Sequence, residues 1–379
     1  MTTRKLYRIT AIINRGISNA VNLTKALQGS GHSSIMITSG SSLLLEEKTG
    51  FAKLFSTESS LVGDPVDVIT VVVSEENRDH TMQLIASKAE LNIPGHGSVY
   101  SEEVKLVKSH ELCKEVKTVS VAEESQKMQT ELMGINCIVQ RGAGEALAKL
   151  ALNTGTVPFV TYGNGTGVRD KLGLLRITIP AEKEVVTLIT TEYDAETVMD
   201  LMIDAANLDQ PGRGFISLFP VYNGMVNTKI TSGMPKHAAS LEQIISVLDE
   251  IKGGVEWRKR SAEGRKATNR TYLKGLIDMT IVCNEGRGED LVKACMNVGA
   301  SGATIGQGKH ISITNSPESA ISPAREICKM VVSETQLAEK LLPVLEANGA
   351  FDDKTHGQIF YSPVPKACTY LPKPANTAS

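Results

Sequence analysis

The chain has 379 residues, 41% of them hydrophobic, with a formal net charge of -2 and a pI of about 6.4. This length and apolar fraction allow two or three domains with buried cores, and the near-neutral charge gives no overall positive field for nucleic acid. No run of 18 apolar residues occurs, and the N-terminus lacks the apolar core of a secretory signal. We therefore expect a globular, cytoplasmic protein that neither binds nucleic acid nor inserts into a membrane.

The first landmark along the chain is an apolar strand that runs into a glycine at the start of a helix. It occurs three times, over residues 9–14, 135–140 and 279–284, followed by Gly16, Gly142 and Gly286. Apolar residues then recur at i, i+4 and i+7, as at Leu291, Cys295 and Val298. This spacing predicts one amphipathic helix after each strand.

Two further landmarks follow in the same order in each copy. The second is a strand with a Thr-x-Gly end, at residues 38–40, 161–163 and 304–306. The third is a glycine turn that leads into a final strand, at residues 95–97, 212–214 and 355–357. From the threonine to the last glycine the spacing is 59, 53 and 53 residues, which indicates an internal repeat.

Between these landmarks the pattern predicts a second hairpin strand and a second helix in each copy. The strands cover residues 66–73, 185–191 and 327–333, and the helices cover residues 75–88, 195–207 and 334–348. The order βαββαβ is the ferredoxin-like arrangement, an α+β fold with both helices on one face of an antiparallel sheet. Three such sheets can pack their uncovered faces around a pseudo-three-fold axis.

The predicted organisation is three repeats with two connectors. The repeats span residues 1–105, 134–230 and 276–379, and the connectors span residues 106–133 and 231–275. The first connector is charged and expected to be helical, and the second contains an apolar-periodic helix over residues 241–251. Residues 257–274 hold seven Lys or Arg against Glu263, which fits either a solvated loop or an arm for an acidic partner or an anion.

Glycines at strand ends are the candidate ligand-binding positions, because they let the backbone approach a ligand and expose N–H groups to anions. Arg213 adds a fork of donors for phosphate or carboxylate, and His96 and His356 occupy the same turn position, either as anion donors or as ordinary surface histidines. The candidates are Thr38, Gly40, Gly95, His96, Gly97, Thr161, Gly163, Gly165, Gly212, Arg213, Gly214, Thr304, Gly306, Gln307, Gly308, His356 and Gly357.

Signatures of catalysis or metal binding are missing from the sequence. No nucleophile, zinc-protease, Walker or paired-carboxylate motif occurs in a supporting context, so we expect no catalytic residues. The cysteines lack C-x-x-C spacing and nearby histidines, so they are expected to be buried thiols without metal or disulfide: Cys113, Cys137, Cys283, Cys295, Cys328 and Cys368.

At these residues the chain resembles the P-II nitrogen-regulatory family. Residues 299–308 resemble that family's approach to its T-loop, and residues 211–221 and 355–364 resemble its B-loop and last strand. The resemblance implies a one-chain pseudo-trimer that binds AMP, ADP or ATP between repeats and needs no other cofactor. It also implies a regulated partner, either a transporter or a metabolic enzyme, and leaves a higher oligomer open.

The chain also departs from the family's pattern. The lysine expected after the second B-loop glycine is replaced by Ser98, Phe215 and Gln358, and the closing arginine pair is missing, with only Lys105, Lys108, Lys229 and Lys366 nearby. Fewer cations favour AMP, ADP or another small anion over ATP. The loops at 40–65, 163–183 and 306–325 hold no tyrosine as a uridylylation acceptor. Two alternatives stay open: a pseudo-three-fold enzyme for a small planar or anionic substrate, and a scaffold that uses the basic segment.

Overall fold

The structure is a computed structural model that describes residues 3–17, 20–32, 34–46, 60–110, 126–167, 182–227, 231–232, 270–311 and 323–371. Several predictions fall on residues outside this part of the chain: most of the loops at 40–65, 163–183 and 306–325, the predicted helix over residues 241–251, residues 257–269 of the basic segment, Lys229 and Cys113. Within the described residues, 15 strands form one hydrogen-bonded sheet, with helices packed against it. The expected α+β class is confirmed.

The described residues of unit 1, which spans residues 4–109, form four strands and two helices. They are β1 (Arg4–Asn14), a 3-10 turn (Arg15–Ile17), α1 (Ala20–Gly29), β2 (Ile35–Glu46), β3 (Leu61–Val73), α2 (Glu75–Lys88) and β4 (Gly97–Ser109). The strands pair antiparallel in the order β2-β3-β1-β4.

Unit 2, residues 132–232, has the same succession with two short strands added. It comprises β5 (Leu132–Gln140), α3 (Gly144–Asn153), β6 (Phe159–Gly167), β7 (Glu182–Thr191), α4 (Glu192–Ala206), β8 (Gly214–Val221), β9 (Asn223–Met225) and β10 (Thr231–Ser232). The four main strands pair antiparallel in the order β6-β7-β5-β8.

Unit 3, residues 276–369, follows the same order a third time. It comprises β11 (Leu276–Asn284), α5 (Gly288–Asn297), β12 (Gly302–Ile311), β13 (Ala324–Val332), α6, β14 (Gln358–Val364) and β15 (Ala367–Thr369). Helix α6 consists of Glu334–Gln336, a π-helical segment Leu337–Leu341, and Leu342–Ala347. The strand order is β12-β13-β11-β14.

Carboxylates on the third strand of units 2 and 3 hold the start of the first helix. Glu184 Oε2 accepts the N–H of Gly144 at 2.8 Å, and Glu326 Oε2 accepts the N–H of Gly288 at 2.6 Å. A negative charge at a helix N-terminus is stabilising because the first amides have no partner within the helix. The strand therefore fixes where each helix begins.

The predicted helix at 75–88 is confirmed at both ends by α2, whereas the prediction for the first connector is wrong at its start. Strand β4 continues to Ser109, because its last residues pair with unit 3 instead of leaving the sheet. Lys105 lies opposite Tyr361 and Lys108 opposite Ile359. Residues 111–125 of that connector lie outside the described part of the chain.

The second strands of the three units pair with one another in a closed triangle, which we call the hub. Gly40 of β2 lies opposite Thr161 of β6, Asn164 of β6 lies opposite Ile305 of β12, and Lys309 of β12 lies opposite Ile37 of β2. Each hub strand thus pairs with the edges of the other two. The backbone N–H and C=O groups at these edges gain hydrogen-bond partners.

Glycines let the hub strands approach closely. A Cβ on Gly40 would lie 2.8 Å from the carbonyl oxygen of Val160, and a Cβ on Gly163 would lie 2.9 Å from that of Ile305. A Cβ on Gly308 would lie 3.3 Å from the carbonyl oxygen of Ile37. These contacts are tighter than ordinary packing, so the glycines serve strand contact between units.

The chain end of each unit continues the sheet of another unit. Lys108 of unit 1 lies opposite Ile359 of unit 3, and Met225 of unit 2 lies opposite Val99 of unit 1. Cys368 of unit 3 closes the cycle opposite Ile216 of unit 2. The uncovered sheet faces of units 1 and 2 also bury each other, in a cluster that includes Ile12, Val66, Tyr100, Phe159 and Phe219.

A buried ion pair lies where the sheets of units 1 and 3 meet. Arg8 Nε donates to Glu102 Oε1 at 2.7 Å, and Arg8 Nη1 donates to Thr280 Oγ1 of unit 3 at 3.2 Å. Arg8 is 8% exposed and Glu102 is 6% exposed. Removing one partner of such a pair leaves an uncompensated buried charge.

We predict that Glu102→Gln lowers the free energy of unfolding by about 3–5 kcal/mol, because Arg8 then lacks its counter-ion. The matched control is Glu103→Gln on the next residue, which faces Lys5 at 3.1 Å with both side chains more than 40% exposed. That change should leave the free energy of unfolding nearly unchanged, because solvent screens the exposed pair. Urea denaturation measures both, and equal losses in the two variants would contradict the prediction.

Candidate functional site

A cavity lies between units 1 and 2, beside the glycine turn of unit 1. It is small and open to solvent: the volume that the centre of a water-sized molecule can occupy is about 20 Å³. Its walls come from the ends of β1, β2, β3 and β4 and from the start of β6 in unit 2. The lining residues are Ile12, Asn14, Ser42, Leu44, Asp64, Val66, Gly95, Gly97, Ser98, Val157, Phe159 and Asn227.

The glycine turn of unit 1 is held by the chain end of unit 2. Gly95 N–H donates to Asn227 Oδ1 at 2.8 Å, and the N–H of Asn227 donates to Ser98 Oγ at 2.8 Å. Gly97 has φ +145°, and a Cβ there would lie 1.9 Å from the carbonyl oxygen of Ile12. Only glycine fits this position, and the turn is complete only when both units are present.

The polar wall of this cavity carries hydrogen-bond acceptors and one carboxylate. Asn14 Nδ2 donates to Asp64 Oδ2 at 3.3 Å, and Asn14 Oδ1 accepts the N–H of Gly16 at 2.9 Å. The adjacent Arg15 is engaged elsewhere, since its Nε donates to Asp67 Oδ1 at 2.7 Å and its Nη2 to Ser39 Oγ at 2.7 Å. Among the described lining residues of the unit 1 cleft, none is cationic.

The corresponding part of unit 3 is filled by a cluster of basic side chains. Arg325 is 2% exposed and donates to Asn284 Oδ1, to the carbonyl oxygen of His356 at 2.7 Å and to that of Val282 at 3.4 Å. His356 Nδ1 lies 3.1 Å from Nδ1 of His110, a residue at the end of unit 1. The guanidinium is thus buried against the end of β11 and the turn before β14.

Two histidines that feel the charge of Arg325 have lowered pKa values. Burial, followed by the charges of His110 and Arg325, lowers the pKa of His356. Burial, followed by the charge of Arg325, lowers the pKa of His310 to about 4. His356 Nε2 is buried without a hydrogen-bond partner within the described residues. Both imidazoles are therefore held in the neutral form near pH 7.

The predicted site residues fall into two groups in the structure. Those on the second strands lie in the hub or beside it: Thr38, Gly40, Thr161, Gly163, Gly165, Thr304, Gly306, Gln307 and Gly308. The others lie in the final turns, where β4, β8 and β14 begin: Gly95, His96, Gly97, Gly212, Arg213, Gly214, His356 and Gly357. Of all these positions, Gly95 and Gly97 line the cavity described above.

The three residues at the centre of the final turns differ in placement. His96 Nδ1 lies 3.3 Å from the carbonyl oxygen of Ala89 in its own unit, so its ring does not face unit 2. Arg213 is exposed. His356 is fully buried against His110, so the prediction of equivalent anion donors or surface histidines does not describe it.

One sequence alignment of the repeats is wrong by two residues. In unit 1, Gly40 lies opposite Val66, and in unit 2, Gly163 lies opposite Lys183. On its other side, each of Val66 and Lys183 lies opposite the amide residue that ends the first strand of its unit. In unit 3 the residue opposite that partner, Arg325, is Gly308 and not Gly306. The Thr-x-Gly at 304–306 therefore lies two residues before the segment of unit 3 that is structurally equivalent to 38–40 and 161–163. The equal spacing of 53 residues in units 2 and 3 is a coincidence.

Sequence reasoning missed the amide that ends the first strand of each unit. Asn14, Gln140 and Asn284 share this position, two residues before the glycines at the helix starts. Gln140 Nε2 donates to the carbonyl oxygen of Gly212 at 3.0 Å, and Asn284 Nδ2 donates to that of Lys354 at 2.9 Å. The recurrence of Asn or Gln was a visible signal of this position, and in units 2 and 3 the side chain holds the final turn.

The lysines considered as phosphate ligands have other partners. Lys108 Nζ lies 2.6 Å from Glu346 Oε1, Lys366 Nζ lies 3.0 Å from Glu196 Oε2, and Lys105 Nζ lies 5.4 Å from the centre of the Tyr361 ring. Within the described ranges, no group of three or more His, Cys, Asp or Glu is arranged to hold a metal ion. The cysteines there are unpaired and buried, as predicted: Cys137, Cys283, Cys295, Cys328 and Cys368.

The sequence matches no protein-family model and none of the curated proteins. No helix in the part of the chain that the structure describes has the length and apolar character needed to cross a membrane.

We predict that stability falls as the pH drops from about 6.5 towards about 4. An ordinary histidine has a pKa of 6.5, whereas that of His310 is about 4 in the folded chain. Between these values the unfolded chain binds a proton that the folded chain does not, so acid favours unfolding. Urea denaturation at several pH values should give a shallower dependence for His310→Gln, and an unchanged slope would contradict the assignment.

Proposed function

We propose that this chain is a P-II-like regulatory protein, with three ferredoxin-like βαββαβ units arranged as an intramolecular pseudo-trimer. A small effector binds in the clefts between units, and its binding changes how the chain engages a regulated transporter or metabolic enzyme. An adenine nucleotide (AMP, ADP or ATP) is the expected effector. The motifs at residues 211–221, 299–308 and 355–364 support this resemblance.

The observation that carries the proposal is the dependence of the cleft on two units. The turn at Gly95 and Gly97 is completed by Asn227 of unit 2, and Phe159 of unit 2 forms an opposite wall. A ligand in this position contacts both units at once, so its binding free energy favours one relative arrangement of the units. A sensor needs such coupling between occupancy and shape.

The absence of a recognisable nucleophile or metal cluster among the described residues favours binding over catalysis. One observation favours the alternative of a pseudo-three-fold enzyme, namely His110 and His356 with Nδ1 atoms 3.1 Å apart beside Arg325. The 0% exposure of His356 argues against substrate access there. The scaffold alternative depends on residues 257–274, most of which lie outside the described ranges.

Isothermal titration calorimetry of the full chain with AMP, ADP, ATP, cyclic AMP and bicarbonate tests the proposal. We expect at least one adenine nucleotide to bind and to raise the melting temperature, since a ligand at 100 times its Kd stabilises the folded state by about 2.7 kcal/mol. Mass spectrometry of the recovered nucleotide distinguishes binding from turnover. Failure of every compound to bind would contradict the proposed function, and conversion of a bound nucleotide would favour the enzyme.

A further inference from the structure

Two histidine side chains form a contact between the end of unit 1 and the final turn of unit 3. His110 directly follows β4, and His356 lies two residues before β14. Their Nδ1 atoms are 3.1 Å apart, and their rings meet edge to face with centroids 4.3 Å apart. The N–H of His110 also donates to the carbonyl oxygen of Gly357 at 2.9 Å. Side chain and backbone of His110 thus both hold this turn.

A hydrogen bond between two ring nitrogens needs one proton and one lone pair. One Nδ1 donates and the other accepts, so at least one of the two imidazoles must be neutral. When both rings carry a positive charge, each Nδ1 bears a proton, and two donors of like charge face each other at 3.1 Å. The contact therefore lasts only while the pair holds one positive charge or none.

The second nitrogen of each ring has a different environment. His110 Nε2 lies 3.1 Å from Asp353 Oδ1, and the Asp353 side chain is 93% exposed. His356 is 0% exposed, and its Nε2 has no hydrogen-bond partner within the described residues. In a charged His356 this nitrogen bears a proton, so the closed contact would bury a charge and a donor without an acceptor. Water can accept this hydrogen bond at an open junction, so a charged His356 favours opening.

A buried positive charge also lies beside His356. Arg325 on β13 is 2% exposed, and its Nη2 donates to the carbonyl oxygen of His356 at 2.7 Å, so its charge opposes an imidazolium. Asp352 and Asp353 in the same turn attract an imidazolium, but both are exposed, and solvent screens their charge. The exposed Lys354 follows them with the opposite sign. The interior of this junction therefore disfavours a charged His356.

Other charged groups on the surrounding elements have partners or stay neutral. Arg287, just before α5, donates to Thr355 Oγ1 at 3.2 Å. Lys108 on β4 pairs with Glu346 on α6 at 2.6 Å. The pKa of His310 on β12 is lowered to about 4 by burial and by the charge of Arg325, so this ring is neutral in mild acid. The histidine pair is therefore the group whose charge changes at this junction in mild acid.

Few backbone pairs attach the end of β4 to unit 3. The ladder between β4 and β14 has an irregularity just beyond Ile359. On the near side of it, the pairs are Lys108 with Ile359 and Ser109 with Gln358. The histidine contact lies next to these two pairs, so its loss would leave a short and interrupted ladder. Local opening is easiest where such contacts are few.

We propose that His110 and His356 form an acid-sensitive latch between units 1 and 3. At neutral pH their shared hydrogen bond holds the end of β4 against the final turn of unit 3. In acid both rings become charged, the contact breaks, and residues 108–110 separate from that turn while the hub stays paired. The latch needs no ligand, so it goes beyond the proposed function and gives the chain a second signal.

The direction of the pH dependence follows from where the proton binds more strongly. In the closed latch the pKa of His356 is lowered from its ordinary value of 6.5. A solvated histidine in the open latch keeps the ordinary pKa. Below about pH 6.5 the open form therefore binds a proton that the closed form does not, and opening increases as the pH falls. The increase ends when the closed form also binds this proton.

Hydrogen–deuterium exchange of the full chain, read by mass spectrometry and corrected for the intrinsic exchange rate, tests the latch. Between about pH 7.5 and about pH 5.5, protection of peptides over residues 106–110 and 356–360 should fall at least about threefold in wild type. Peptides from β5 and β7 serve as the internal reference and should keep their protection. Unchanged protection at the junction, or an equal loss in the reference peptides, would overturn the latch.

Two variants separate the latch from other effects of acid. His356→Asn removes the titrating ring but keeps a polar group near Nδ1, in a residue that tolerates the φ of +44° at this position. Its junction peptides should change by less than about twofold between the two pH values. The matched control is His96→Asn in the final turn of unit 1, where Nδ1 lies 3.3 Å from the carbonyl oxygen of Ala89. This control should respond to acid as wild type does.

Melting temperatures confirm that the variants are folded. If His356→Asn fails to fold, His356→Gln takes its place, because it also lacks a titrating group. Equal acid sensitivity of the junction in wild type and in the uncharged variant would overturn the latch. Loss of acid sensitivity in His96→Asn would overturn it as well. Nucleotide binding is not part of this measurement, so either result leaves the proposed function to its own test.

Discussion

The hub, where β2, β6 and β12 pair with each other, is the contact on which the rest of the structure depends. A four-stranded sheet with helices on one face leaves one face and its edges uncovered. In the triangle of antiparallel pairs, the backbone N–H and C=O groups at the edge of each unit form hydrogen bonds with those of the other two units. Close approach requires glycine at Gly40 and Gly163, where a Cβ would lie under 3.0 Å from a neighbouring carbonyl oxygen.

The closed ring also determines where the final turn of each unit lies. Since the chain end of each unit pairs with the last strand of another, each final turn is placed against a neighbouring unit. A trimer of identical subunits would make these three places equal, whereas one chain allows each to change separately. One backbone position illustrates this: it is Val66 in unit 1, Lys183 in unit 2 and the buried Arg325 in unit 3.

Local sequence patterns predicted much of the fold. Periodicity placed α2 correctly at both ends, and the turns at Gly97, Gly214 and Gly357 fall at matching strand positions. The two-residue error at Gly308 arose because Thr-x-Gly motifs carry no information about strand register, which is set by the pairing with the neighbouring strand. The same limit hid the continuation of β4 to Ser109, whose partner is in unit 3.

The site was less predictable than the fold, for a physical reason. Glycines that looked suited to phosphate serve strand contact in the hub, and the sequence cannot distinguish close approach to a ligand from close approach to another strand. Asn227 lies 132 residues from the Gly95 amide that it accepts, so no local pattern could link them. The buried pairing of His356 with His110 joins units 3 and 1 and was hidden for the same reason.

Disulfide trapping across the hub measures ring closure most directly. Three double-cysteine variants place thiols on residues that lie opposite each other: Ser41 with Val160, Thr166 with Ala303, and Ile37 with Lys309. Mild oxidation followed by mass spectrometry should find the intended bond in all three, and far less in Ser41→Cys with Thr161→Cys, which shifts the register by one residue. The closed ring would be contradicted if even one of the three pairs failed to form its disulfide, or if the shifted pair formed its disulfide equally well.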